Sequence, residues 1–243
     1  MSMSSKINFS SPPIPCKFHT KKSNLIRKNT IILSSFSSSE KQQKTISTTI
    51  KTPSNDKAYT ISFKTKSACK LGISRYPDFE YDAEGGIGTG FSAKGTKYQD
   101  NNDILVSFDI ETLYIPSLTS STTKFLGLPL PPFLKIDIVP ETFQGSINQE
   151  SGKVDLEFKA KFLFSAGSIY KAPPLLVKTV LTSEESKGTI KSGRGIRLDE
   201  EGKCRLVGVA TVDPIDDFIM NSFLGLPTEC LAELNAVISI SSS

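Results

Sequence analysis

The chain has 243 residues, 22% of them charged, with 29 Lys and Arg against 25 Asp and Glu for a net charge of +4. That surplus sits in one place: residues 1–39 hold no Asp or Glu but carry Lys6, Lys17, Lys21, Lys22, Arg27 and Lys28, and setting these six aside takes the net charge from +4 to −2. The remainder therefore offers no electrostatic case for nucleic acid, and because the single histidine, His19, lies in the same stretch, Ser-His-Asp and Cys-His relays are excluded from residues 40–243.

Taken in chain order, residues 1–50 have the character of a targeting leader. They are rich in Ser, free of acids until Glu40, and their longest apolar patch, 31–33 with Phe36 nearby, is far shorter than the roughly 7–15 residues of a secretory core. Pro12, Pro13 and Pro15 interrupt any helix, and Arg27 is the only Arg, which favours a disordered plastid transit peptide handled by the plastid import machinery over a mitochondrial presequence, the alternative. No later stretch approaches the roughly twenty apolar residues of a membrane-crossing helix. The expectation is one domain over 51–243, in the chloroplast stroma or on the stromal side of a membrane.

From residue 59 the apolar positions recur every second residue, the period of strands with one face on a core. Tyr59, Ile61 and Phe63 begin it. Gly85, Gly86, Gly88 and Gly90 resemble a dinucleotide loop, but Phe91 stands where the final glycine belongs and no helix follows, so close strand packing or a bend is expected. Ile104, Val106, Phe108 and Ile110, continued by Thr112 and Tyr114, share a face opposite Ser107, Asp109 and Glu111. Phe143, Gly145 and Ile147 lead through Glu150, Ser151 and Gly152 into Val154, Leu156, Phe158, Ala160, Phe162 and Phe164, which alternate with Asp155, Glu157, Lys159 and Lys161. That pattern predicts a hairpin. Further strands are expected over 175–181, over 189–198 and 203–212 with Asp199, Glu200, Glu201 and Gly202 turning between them, and over 231–240. One helix is predicted, with Asp213 as N-cap, Pro214 at its first position, Ile215, Phe218, Ile219 and Phe223 on one face, and Gly225 ending it. About seven to ten strands and one short helix predict an all-β fold, a single antiparallel β-barrel.

Cys69, Cys204 and Cys230 lie far apart with no Cys-x-x-Cys pair, which argues against zinc, an iron-sulfur cluster or a thioredoxin-type centre. Buried or idle thiols are expected, with a disulfide between two of them left open. Adjacent carboxylates such as Asp216 and Asp217 fall where solvated tips are the default, so no metal, cofactor or catalytic residue is assigned.

Two features bear on binding. Phe125-Leu126-Gly127-Leu128-Pro129 recurs as Phe223-Leu224-Gly225-Leu226-Pro227. The copies read either as plugs closing the core or as lips at a barrel mouth, with Phe125, Leu128, Phe223 and Leu226 gripping an apolar ligand or a membrane surface. If 189–198 is a regular strand, Arg194 shares a face with Ile190, Ile196 and Leu198 and would anchor a ligand headgroup. Gly193 and Gly195 beside it equally suggest a bulge that turns it outward.

The order of these elements resembles the YceI-like family. The resemblance is carried by the early alternating strand at 59–63, the glycine-rich run 85–91, the strand 104–114, the Phe-Leu segment before Pro132, the hairpin through Gly145 and 154–164, and Asp216-Asp217-Phe218-Ile219 ahead of a final strand. Ser117 to Lys124 replaces the charged helix usual in that family. The resemblance implies a lipocalin-like barrel holding an isoprenoid or other lipid chain in an apolar tunnel, which Phe158 and Phe162 would line. A barrel of about eight strands encloses either packed side chains or one small ligand, and alternation alone does not distinguish them. The expected function is a non-catalytic binder or carrier of an isoprenoid or fatty acyl chain, with peripheral membrane contact left open. The alternatives are a ligand-free scaffold for assembly of a plastid complex and a lipid isomerase or cyclase of barrel type.

Overall fold

A computed structural model describes residues 59–92 and 103–242, all within the compact unit Thr52–Ser243. The leader reading falls on residues outside those described. The elements are β1 (Tyr59–Thr65), β2 (Cys69–Ile73), β3 (Phe79–Tyr81), β4 (Ile87–Ser92), β5 (Asp103–Phe108), β6 (Thr123–Phe125), β7 (Leu128–Pro129), β8 (Leu134–Asn148), β9 (Val154–Ala166), β10 (Tyr170–Lys171), β11 (Leu175–Thr182), β12 (Glu185–Lys187), β13 (Ser192–Arg194), β14 (Lys203–Val212), α1 (Phe218–Leu224) and β15 (Thr228–Ser242). Eight strands pair antiparallel in the order β1-β4-β5-β8-β9-β11-β14-β15, and β15 pairs back onto β1 to close the ring. The expected all-β, antiparallel architecture with one short late helix is what the chain adopts.

Alternation explains the closure. On β9, Val154, Leu156, Phe158 and Ala160 are buried inside, while Lys153 meets Asp155 at 2.9 Å and Lys178 meets Glu157 at 3.0 Å on the outer face. Each large apolar side chain so buried contributes roughly 1.5–3 kcal/mol, which favours a sheet curled around one interior. On β8 the inward set changes parity. Phe143 and Ile147 point in along one half, Ile136 and Ile138 along the other, because pairing with β9 shifts register between Pro140 and Thr142. The bulge absorbs the proline, which cannot donate to the ladder, and turns Glu141 outward between Lys159 at 2.9 Å and Lys161 at 2.6 Å.

The two halves of the ring differ. Where β1, β4 and β5 complete the wall, Ile61, Phe63, Phe108, Phe143, Ile147 and Leu156 fill the interior, with the Phe108 and Phe143 rings stacked at 4.5 Å. Past Thr65 the chain re-forms its pairing with β15 as β2, and β3 and β6 extend that wall until Leu118 bridges to Ile136 of β8. The long strands β8, β9, β14 and β15 thus run on beyond the filled half into a second closure built from short strands.

The structure corrects three expectations. The strand through Ile104, Val106 and Phe108 ends there, because the Asp109 carboxylate accepts from Glu111 N (3.1 Å) and from the Thr112 hydroxyl (3.0 Å), turning the chain before Tyr114. The helix starts later than predicted. Asp217, not Asp213, is its N-cap, accepting from Met220 N at 2.8 Å, and Asn221 holds the segment before it extended by exchanging hydrogen bonds with the Ile215 backbone. Its buried face is Met220 and Leu224, whereas Phe218 and Ile219 are exposed; Gly225 ends it in the left-handed conformation as expected. Residues 189–198 are not a strand of the ring. Within them β13 pairs with β12 in a separate two-stranded sheet, and the expected pairing with the following strand is reduced to one bridge between Ile196 and Arg205 of β14.

That small hairpin covers the outer face of β14 and β15, where Val207 and Leu231 are buried. Its turn is held by one carboxylate: Glu229 accepts from the backbone N–H groups of Thr189 (2.7 Å), Ile190 (2.7 Å) and Lys191 (2.9 Å). Those bonds pull the Glu229 carboxyl from its ordinary 4.5 down to about 2. Since the folded value is the lower one, its stabilisation is present above pH 4.5 and is lost as pH falls through about 2. Protection from hydrogen exchange at residues 189–191, relative to the unstructured rate at each pH, should therefore fall between those values, and Glu229→Gln should show low protection already at pH 7 with that acid dependence flattened. An unchanged pH profile in the variant would show that another group holds the turn.

Candidate functional site: a hollow under the helix

The second closure encloses a cavity of about 580 Å³. Its floor is Phe143 and Phe158, at the top of the filled half. Phe162, Phe164 and Ile138 line one wall, Leu71, Phe79 and Tyr81 the wall made by the short strands, and Met220 and Leu224 of α1 lie across the end. The volume falls within the roughly 300–1,000 Å³ usual for small-molecule sites.

Both copies of the Phe-Leu-Gly-Leu-Pro string reach this cavity, in unrelated conformations. Phe125 and Leu128 sit on the hairpin between β6 and β7, whose turn puts Leu126 and Gly127 at positive φ, 52° and 79°. Phe223 and Leu226 sit at the C-terminal end of α1 and just beyond it. Tyr76 joins them: its ring lies 6.3 Å from Phe125 and 5.6 Å from Phe223, and its hydroxyl donates to Phe223 O at 2.6 Å. Arg75 beside it donates to Ser222 O at 2.9 Å, a cation at the helix C-terminus where the backbone dipole favours it. The apolar candidates from the sequence, Phe125, Leu128, Phe158, Phe162, Phe223 and Leu226, all line the one cavity. Arg194 does not. It is exposed on β13, outside the ring, and the strand geometry that would have turned it inward is absent.

Hydroxyl groups of Tyr81 and Thr179 bordering the hollow are occupied by the backbone. Tyr81 donates its hydroxyl to Pro116 O, and Thr179 donates to Val209 O at 2.8 Å. Glu233 belongs to the outer face of β15, its carboxylate 3.6 Å from where a Cβ on Gly193 of the covering hairpin would stand. Burial pushes the Cys230 thiol up to about 11 and the Cys204 thiol up to about 12, so neither supplies a thiolate near neutral pH. All three described cysteines are free, and among the described residues no group of His, Cys, Asp and Glu is placed to hold a metal ion. What the cavity offers a guest is apolar contact.

The wall of β2, β3 and β6 is the part sequence reasoning missed. Cys69, Leu71 and Ile73 do alternate, and that was the available signal, but strands of three to five residues interrupted by turns are too short for periodicity to mark. No protein-family model, no curated protein and no solved structure matches the chain.

Proposed function

We propose that this domain is a non-catalytic binder or carrier of a single apolar chain, an isoprenoid or a fatty acyl group, held in the cavity beneath α1. The observation that carries the reading is a 580 Å³ hollow with a predominantly apolar lining, in which the Tyr76, Tyr81 and Thr179 hydroxyls already donate to backbone carbonyls. Such a site gains free energy by desolvating hydrocarbon, at about 25 cal/mol per Å² of apolar surface, and has no charge with which to demand a headgroup inside. A pure scaffold has no use for a hollow. An isomerase or cyclase would need an acid, base or cation aimed at the guest; Arg194 lies outside, and Glu233, which borders the hollow, turns its carboxylate toward Gly193 of the covering hairpin. The YceI-like resemblance points the same way, and the acid-free leader fits a plastid site of action.

The test is to purify the chain gently, extract with organic solvent and identify what is released by mass spectrometry, for wild type and for Ala210→Phe. Ala210 is an inward, cavity-lining position on β14, so a phenyl group there occupies the space without displacing backbone. One lipid class should recur across wild-type preparations and fall about tenfold or more in the variant, with near-UV circular dichroism unchanged. If no lipid recurs in wild type, the carrier reading fails.

A further inference from the structure

We infer that the helix-capped end of the ring docks on a lipid bilayer, laying the cavity mouth against the membrane from which cargo is taken or to which it is given. This deepens the carrier reading by naming its partner, but it stands on side chains the cavity does not use. Ile169 is 96% exposed and Phe218 85%, and Phe133 and Ile219 are exposed as well; none of the four lines the cavity.

They belong to one end of the molecule. Phe133 O accepts from Gly167 N at 2.7 Å, two residues before Ile169, and the neighbouring Tyr170 hydroxyl donates at 2.9 Å to Asp217, the N-cap that precedes Phe218. From the far end of α1, Phe223 contacts Tyr76, and Tyr76 contacts Phe125 next to Leu126, itself 70% exposed. The exposed apolar side chains therefore encircle the mouth. An apolar surface so arranged marks an interaction site rather than ordinary scatter.

Charge identifies the occupant. Residues 125–134, 162–170 and 218–228 at this end contain no Asp, Glu, Lys or Arg, in a chain that is 22% charged; Asp216 and Asp217 stand at the N-terminus of α1 and Arg75 at its C-terminus. Two of the three are bracketed by lysines, Lys124 and Lys135 around the first, Lys161 and Lys171 around the second, and all four are exposed. Lys124 and Lys171 have no ion-pair partner among the described residues, while Lys135 and Lys161 lean on Asp137 and Glu141. Apolar segments collared by lysines suit a bilayer, whose acyl region takes the apolar side chains while long cationic side chains reach the phosphate level. A protein interface of this size would be expected to interleave hydrogen-bonding and charged groups among the apolar ones. Val180, 50% exposed on the ring's flank, pairs with Glu157 and shares its strand face with Lys178, and it lacks this collar.

The test is flotation of the full chain with phosphatidylcholine vesicles containing a minor fraction of phosphatidylglycerol. Every variant keeps the basic leader, so differences report on the rim alone. Wild type should float with the vesicles, Ile169→Asp/Phe218→Asp should lower the bound fraction about tenfold or more, and Val180→Asp should leave it unchanged. Equal flotation of the double variant and wild type overturns the proposal, as does failure of wild type to float. So does a wild-type dimer, seen by light scattering, that the double variant dissolves, since the rim would then seat a second copy. Lipid content of the same preparations separates the two readings: an empty cavity in a chain that still floats counts against the carrier alone, and a loaded chain that does not float counts against docking alone.

Discussion

Leu156→Ala is expected to lower the unfolding free energy by about 2–5 kcal/mol, while the same truncation at Leu134 should cost less than about 2 kcal/mol. Leu156 is 0% exposed, enclosed in the filled half among Phe143, Ile147 and Val154. Removing its three outer carbons forfeits contacts on every side and leaves a void that close-packed neighbours cannot collapse into. Leu134 sits on the same sheet at the other end of β8, half-buried and facing the cavity, so part of its surface already lacks neighbours. Urea unfolding at unchanged m-value measures both. Costs equal to within roughly 0.5 kcal/mol would mean that the interior is equally dense at both ends, and the hollow on which the proposed binding rests would be lost with it.

How far the sequence foretold this depends on the length of each regular run. The eleven-residue alternation of 154–164 determined the hairpin, its faces and the inward Phe158 and Phe162, because so long a run is compatible only with one register. On β8 the same signal was present twice, at 134–138 and at 143–147, but Pro140 and Glu141 stood between with a change of parity, and a proline inside a strand looks like its end. The helix was found but turned over. Asp213-Pro214 is a good start signal in isolation, and only the Asn221 side chain gripping the Ile215 backbone decides for Asp217. Alternation over 189–198 was real yet fell on an external hairpin, where a carboxylate forty residues downstream fixes the turn. The cavity itself was not legible, because an inward phenylalanine looks the same whether its neighbours meet it or stand back from it.

Gly145→Ala should be the most damaging single methyl addition in the domain, costing about 3 kcal/mol or more. Gly145 is paired with Leu156 across the β8–β9 hairpin, past the bulge between Pro140 and Thr142. A Cβ there would overlap the Asp155 carbonyl oxygen and stand 2.8 Å from the Leu156 Cα and 3.0 Å from the Asp155 carbonyl carbon. All three obstacles are backbone, held by the ladder on both sides, so relief requires the strands to part rather than a rotamer to change. Gly88 is the control: its Cβ would meet the Leu113 Cδ1 at 2.7 Å and the Phe108 Cδ1 at 3.5 Å, both side-chain atoms that can give way, and its replacement by Ala should cost markedly less. The difference bears on the proposed binding as well as stability. Gly145 lies in the strand segment that presents Phe143 to the cavity, so parted strands lower that floor, and under the proposed carrier function the lipid recovered from the variant should fall with the midpoint of unfolding. A Gly145→Ala protein as stable as wild type would show that β8 and β9 do not approach this closely, and the abutting floor beneath the hollow would have to be redrawn.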